Sequence, residues 1–241
     1  MRFELNPLYS QEHFDQGSAL NDRWPNRWPS EDKLPGFRSF MENYYLIALE
    51  VAMEILRALA TGLALDTGFF TAKCESQASE LRLNHYHEIN VREISQGSVS
   101  RIHPHCDLGA ISCLFQDETG GLEVMDQQTR QWVSVPAASA SELVVNISET
   151  MERWTNGMLK AGLHQVTVPP HLKGANDSVL PPRISNVFFV KADVDVCVGA
   201  LAPFISEECP RQFEDMTALE YHQKRVATAY LRSVSVADQT T

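Results

Sequence analysis

Apolar side chains recur at helical spacing from Phe37 through Phe40, Met41, Tyr44, Ala48, Val51, Ala52 and Ile55 to Leu59, with Glu50, Glu54 and Arg57 on a polar flank. This predicts one long amphipathic helix that begins after Pro35 and ends near Gly62. From about residue 80 the period shortens. SELRLNHYHEI, GAISCLFQ, GLEVMD, QWVSV, ELVVNI, LHQVTV, RISNVFFV and DVCVGAL are short runs, several of them separated by turn signals such as Gly120-Gly121 and Asn156-Gly157. Short antiparallel strands after one long helix predict a mostly β chain with flanking helices, built on a double-stranded β-helix (jelly roll) core. Residues 169–182, PPHLKGANDSVLPP, read as a loop. Thr217 and Glu220 are spaced as a capping box for a last helix to about Arg232.

The chain thus divides into an N-terminal extended segment with helical support (1–79), the jelly-roll core (80–200) and a C-terminal helix with its tail (201–241), all as one structural domain. In the first part, RWPNRWP holds two Trp-Pro pairs and predicts extended chain pinned to a surface, with Trp24, Trp28 and Phe37 as a cluster.

Composition narrows the function. In 241 residues, 31 acidic side chains face 20 basic ones, a formal charge of -11, which argues against a nucleic-acid backbone or an anionic membrane as the main partner. The first residues lack a basic stretch followed by an apolar one, and no apolar run reaches the roughly 18 residues of a membrane span, so a cytoplasmic location is expected. Cys74, Cys106, Cys113, Cys197 and Cys209 are odd in number and lack CxxC spacing, which argues against a disulfide framework or a cysteine zinc site.

The densest chemistry is RIHPHCDLGAISCLFQ at 101–116. Residues two apart on extended chain point the same way, so His105 and Asp107 can offer an imidazole and a carboxylate to one point. A third ligand must come from another strand, and His164, at the start of LHQVTV, is the leading candidate. Two histidines and one carboxylate on one face of a metal form the arrangement used by non-haem Fe(II) oxygenases. Spacing alone leaves alternatives: His103 competes with His105, and His85 with His87 forms a second His-x-His pair that, with His105, would suit a cupin-like zinc or manganese site. Elsewhere, Arg183 and Ser185 share a strand face, a guanidinium fork beside a hydroxyl suited to a carboxylate. Asn84 and Tyr86 share a face of their own strand.

Taken in order, LRLNHY, HCDLGAISCLFQDETGGLEV, Trp132 with SVP, ELVVNISETMERWTNGMLKAGLHQV and RISNVFF resemble the isopenicillin N synthase-like family of Fe(II)/2-oxoglutarate-dependent dioxygenases, over about residues 36–232 and with a look similar to fungal members. The resemblance implies that His105, Asp107 and His164 hold Fe(II), that Arg183 and Ser185 bind the distal carboxylate of the 2-oxoglutarate cosubstrate with help from Tyr86, and that Asn84 lines the pocket. It implies an enzyme that uses O2 to oxidise 2-oxoglutarate to succinate and CO2 while it hydroxylates, desaturates or cyclises a small-molecule metabolite, in secondary metabolism. Departures from the family pattern are Ser148-Glu149 for Gly-Asp, Gln165 for Arg, and Cys106 for Thr or Ser. The N-terminus is short for the family, so a homo- or hetero-oligomer, or a fragment of weak activity, is expected. Other readings are a non-catalytic or partner-dependent protein of the same fold, and an iron oxidase that needs no 2-oxoglutarate.

Overall fold

The computed structural model describes residues 11–17, 25–75, 78–97, 99–137, 139 and 141–237, with side chains from Glu12 to Thr228. In chain order the elements are β1 (Gln11–Gly17), α1 (Phe37–Gly62), β2 (Glu80–Tyr86), β3 (Ile89–Asn90), α2 (Val91–Ser95), β4 (Ile102–His105), β5 (Ile111–Gln116), β6 (Leu122–Met125), β7 (Trp132–Ser134), β8 (Val144–Ile147), α3 (Glu149–Trp154), β9 (His164–Val166), β10 (Val179–Leu180), β11 (Arg183–Val190) and α4 (Ala218–Ala237). A five-stranded sheet in the order β1-β2-β11-β5-β8 and a four-stranded sheet in the order β4-β9-β6-β7 form the double-stranded β-helix, with β10-β3 as a small ribbon. All paired strands are antiparallel.

Helix α1 covers the five-stranded sheet. Met41, Tyr45, Ala52, Leu56 and Ala60 are its buried residues, spaced to lie on one side. Tyr45 sets its ring edge-on to Phe188 of β11 at 5.1 Å and donates its hydroxyl to the Ser79 carbonyl. The core continues through Phe70, stacked on the fully buried Trp154, whose indole N–H donates to the Cys197 carbonyl at 2.9 Å. The capping box of α4 forms: the Thr217 amide donates to Glu220 at 2.8 Å and the Glu220 amide to the Thr217 hydroxyl at 3.2 Å. Both glycine turns adopt the left-handed backbone they need, with φ +75° at Gly120, +90° at Gly121 and +83° at Gly157.

Several local expectations change. DVCVGAL is not a strand: its only ladder contact among the described residues is an isolated bridge, Cys197↔Thr217, because this stretch turns to cap Trp154 and meet α4. Residues 11–17, too polar to read as a strand, pair along their full length with β2 as the edge of the larger sheet. The stretch after ELVVNI holds α3, and the loop at 169–182 contains β10. Trp24 lies outside the described residues, whereas Trp28 and Phe37 both pack on Phe14 of β1, with ring centroids 5.8 and 5.5 Å from it.

Candidate metal centre and anion pocket

Strand register brings the first cluster together. His105 at the end of β4 is the direct partner of His164 at the start of β9, and their rings lie 4.2 Å apart. Asp107 follows in the turn to β5, which α3 braces from below: the Glu149 amide donates to the Asp107 carbonyl at 2.8 Å and the Thr150 hydroxyl to the Leu108 carbonyl at 2.7 Å. Gly109 lets this turn approach β11, since a Cβ there would sit 2.3 Å from the Val190 carbonyl oxygen.

The donor atoms converge. Asp107 Oδ1 lies 3.5 Å from His105 Nε2 and 3.9 Å from His164 Nε2. Each imidazole places Nδ1 2.9 Å from a backbone carbonyl, that of His103 for His105 and that of Gly162 for His164. A proton on Nδ1 satisfies that contact and leaves the Nε2 lone pair for a metal. The other Asp107 oxygen accepts from the Ser112 hydroxyl at 2.6 Å and from the Asn146 amide at 3.5 Å, which fixes the plane of the carboxylate. Ser148, one of the departures, lies 3.3 Å from Ser112 Oγ and extends this chain of contacts. Gln165, another, donates to Glu123 at 2.8 Å.

Electrostatics match the geometry. Burial raises the Asp107 carboxyl, but the His105 hydrogen bond and the two imidazoles outweigh it and hold the group at about 2. Burial lowers His164, only partly offset by Asp107, so its ring stays neutral and able to ligate below the usual histidine range. Burial also lowers His105, but the hydrogen bond and charge of Asp107 dominate and raise it. His103 is exposed and stands outside this cluster, to which it contributes its carbonyl. His85 and His87 do not join His105; they group with Glu12 instead.

The second part of the site lies on β11 and β2, where Arg183 pairs with Tyr86 and Ser185 with Asn84 in direct register. All four side chains are buried, and Asn84 donates to the Ser185 hydroxyl at 3.3 Å. Arg183 spends one nitrogen on Gln116, at 3.0 Å, and holds its guanidinium 4.9 Å from the Tyr86 ring centroid, while Nε and Nη1 have no partner among the described residues. A buried guanidinium with two idle donors is costly unless an anion completes it. The sequence reading missed a second such group. Arg101 is fully buried, lies 5.8 Å from the same ring and, among the described residues, also has Nε and Nη1 unpartnered, with Nη2 held by the His87 and Pro181 carbonyls. Burial and the nearby Arg183 charge lower it to about 10. Its position four residues before His105 was the only signal available.

Residues 78–192 match the 2OG-Fe(II) oxygenase superfamily. The chain is 42% identical over 230 residues to the 2-oxoglutarate-dependent dioxygenase ucsF of Acremonium sp., an alignment that covers 92% of this chain and 68% of that protein. The chain belongs to the 2OG-Fe(II) oxygenase superfamily. Another superfamily relative, the 2-oxoglutarate-dependent dioxygenase phqC of Penicillium fellutanum, is 49% identical over 222 residues, covering 92% of this chain and 63% of its own length. Among solved structures, a full-length Neurospora crassa protein in complex with alpha-KG and thymine superposes with a TM-score of 0.82 at 29% identity, covering 92% of this chain and 66% of that one. The chain therefore spans about two thirds of the length of the relatives it matches. The residues present fit the superfamily's metal and cosubstrate: two imidazoles with a carboxylate suit Fe(II), and the idle guanidinium donors suit a carboxylate of 2-oxoglutarate. A separate cavity of about 1000 Å³ opens between β1, the far end of β11 and α4, and none of the three clustered donors lines it.

Proposed function

We propose that this chain carries the core of an Fe(II)- and 2-oxoglutarate-dependent oxygenase that hydroxylates a C–H bond of a small-molecule metabolite, in a tailoring step of fungal secondary metabolism. The observation that carries the reading is the pairing of two incomplete sites: three metal donors around Asp107, and buried Arg183 with two donors awaiting an anion. Bound Fe(II) and 2-oxoglutarate supply the oxidant, with one oxygen atom of O2 leaving in succinate alongside CO2 and the other going to the substrate.

The protein's contribution is placement. His105, Asp107 and His164 supply three ligands and leave the remaining coordination positions open. Ser112 and Asn146 hold Asp107 so that one oxygen faces the two imidazoles. Arg183 neutralises the distal carboxylate, Ser185 and Tyr86 add hydroxyl donors, Asn84 fixes Ser185, and Arg101 adds a second positive charge on the same side of the pocket. The organisms of the similar dioxygenases support the fungal setting.

Anaerobic titration tests the proposal. Adding 2-oxoglutarate to the Fe(II)-loaded protein should produce a visible metal-to-ligand charge-transfer band, which requires chelation of the keto acid by iron. Full iron loading with no band at saturating 2-oxoglutarate would overturn the cosubstrate assignment.

A further inference from the structure

The geometry points to a second divalent-metal site, formed by Glu12 of β1 with His85 and His87 at the end of β2. In the β1/β2 ladder Glu12 is the direct partner of His85, so the two side chains share a face. His87 lies two residues further on, and its ring sits edge-on to that of His85 with centroids 4.7 Å apart. His87 Nε2 is 3.3 Å from a Glu12 carboxylate oxygen, and one donor atom from each of the three residues lies within 4.8 Å of the others. The cluster around Asp107 meets the same spacing. Donors held at about 2.0 to 2.2 Å by a tetrahedral ion lie about 3.4 Å apart, so the carboxylate and one imidazole already have that separation, and His85 completes the set by a side-chain rotation.

Two imidazoles and one carboxylate select a borderline ion such as Zn²⁺ or Co²⁺ over Mg²⁺ or Ca²⁺. The place is distinct from the oxygenase site. Along β2, His85 projects to the face opposite Asn84 and Tyr86, and it is exposed whereas they are buried. The three donors are open enough for an ion to enter, with side chains of His87 and Glu12 exposed by 42% and 27%. Water would complete the coordination of such an ion. Among the described residues, strand β1 is the outermost of its sheet and pairs with β2 alone. An ion shared by Glu12 and the two histidines would fasten this edge, because a ligand that binds only the paired arrangement stabilises it.

The untagged 241-residue chain titrated anaerobically with Co²⁺ tests the inference, since the visible spectrum separates nitrogen and oxygen donors from thiolates. The wild type should bind two equivalents, and His85→Ala/His87→Ala and His105→Ala/His164→Ala one each. Glu12→Gln should weaken the second equivalent at least tenfold. Hydrogen exchange of the β1 amides should slow on Co²⁺ addition in every protein that keeps His85 and His87. A single wild-type equivalent that the His105→Ala/His164→Ala variant loses, two equivalents in the His85→Ala/His87→Ala variant, or a second equivalent with thiolate bands would each overturn the site. Unchanged β1 exchange would overturn its role as a fastener. A single wild-type equivalent that the His85→Ala/His87→Ala variant loses would instead count against the oxygenase metal centre, so the two readings fail separately.

Discussion

Replacing Arg183 by leucine separates the cost of the anion pocket from its use. In the wild type the guanidinium is 1% exposed and leaves Nε and Nη1 unpartnered, and buried unsatisfied donors cost about 1 to 3 kcal/mol each. Against that stand one hydrogen bond to Gln116 and the contact with the Tyr86 ring. A charged hydrogen bond gives about 1.5 to 3 kcal/mol and a desolvated cation–π contact about 2. The gains and losses nearly cancel, so Arg183→Leu should shift the thermal midpoint of the ligand-free protein by only a few degrees. The loss on binding is one-sided. Leaving a buried carboxylate without its charged partner costs about 2 to 5 kcal/mol, which lowers 2-oxoglutarate affinity by a factor of at least about 30. The assay is the anaerobic charge-transfer titration, with Fe(II) affinity measured separately and expected to stay within a few-fold. A variant that bound 2-oxoglutarate as the wild type does would refute the assignment of Arg183 and favour an oxidase that needs no keto acid.

His164→Ala should abolish stoichiometric iron binding, whereas His103→Ala should keep it, because the carbonyl that orients His105 survives the change; metal analysis after dialysis distinguishes the two. Ser112→Ala removes the 2.6 Å hydrogen bond to Asp107 and should weaken iron about 10- to 100-fold without loss of fold, as read by Fe(II) titration and circular dichroism. Trp154→Ala empties a fully buried site and strands the Cys197 carbonyl, so denaturant unfolding should show a loss of about 3 to 5 kcal/mol.

Much of the architecture was legible because it follows from local periodicity. The apolar spacing marked helix α1, but its buried face is rotated from the expected one: Tyr45, Leu56 and Ala60 are buried with Met41 and Ala52, whereas Phe40 and Val51 are exposed; RISNVFFV forms β11 over its full length. Strands that violate the apolar pattern were not legible. β1 is a polar edge strand whose described side chains are mostly half-buried, with Asp15 exposed and Gln16 buried, and β4 contains Pro104 in a short, shifted pairing. DVCVGAL shows the opposite failure: its apolar residues pack in a turn, since burial does not require a ladder.

For the site, the chain alone supplied the near pair, His105 and Asp107, whose separation of two residues is a local property of extended backbone. It also identified the residue types suited to a metal and a carboxylate, and the family resemblance named which ones to join. Tertiary structure decided the juxtapositions: His105 opposite His164, Arg183 opposite Tyr86, Ser185 opposite Asn84, and His85 with His87 beside Glu12 rather than His105. Such pairings join residues far apart in the chain, and their register is set by which faces of the two sheets can be buried together. Arg101 is the clearest case. An arginine reads as a surface residue, and its burial beside Arg183 rests on the meeting of the His87 and Pro181 carbonyls around its Nη2 and on the Tyr86 ring beside it.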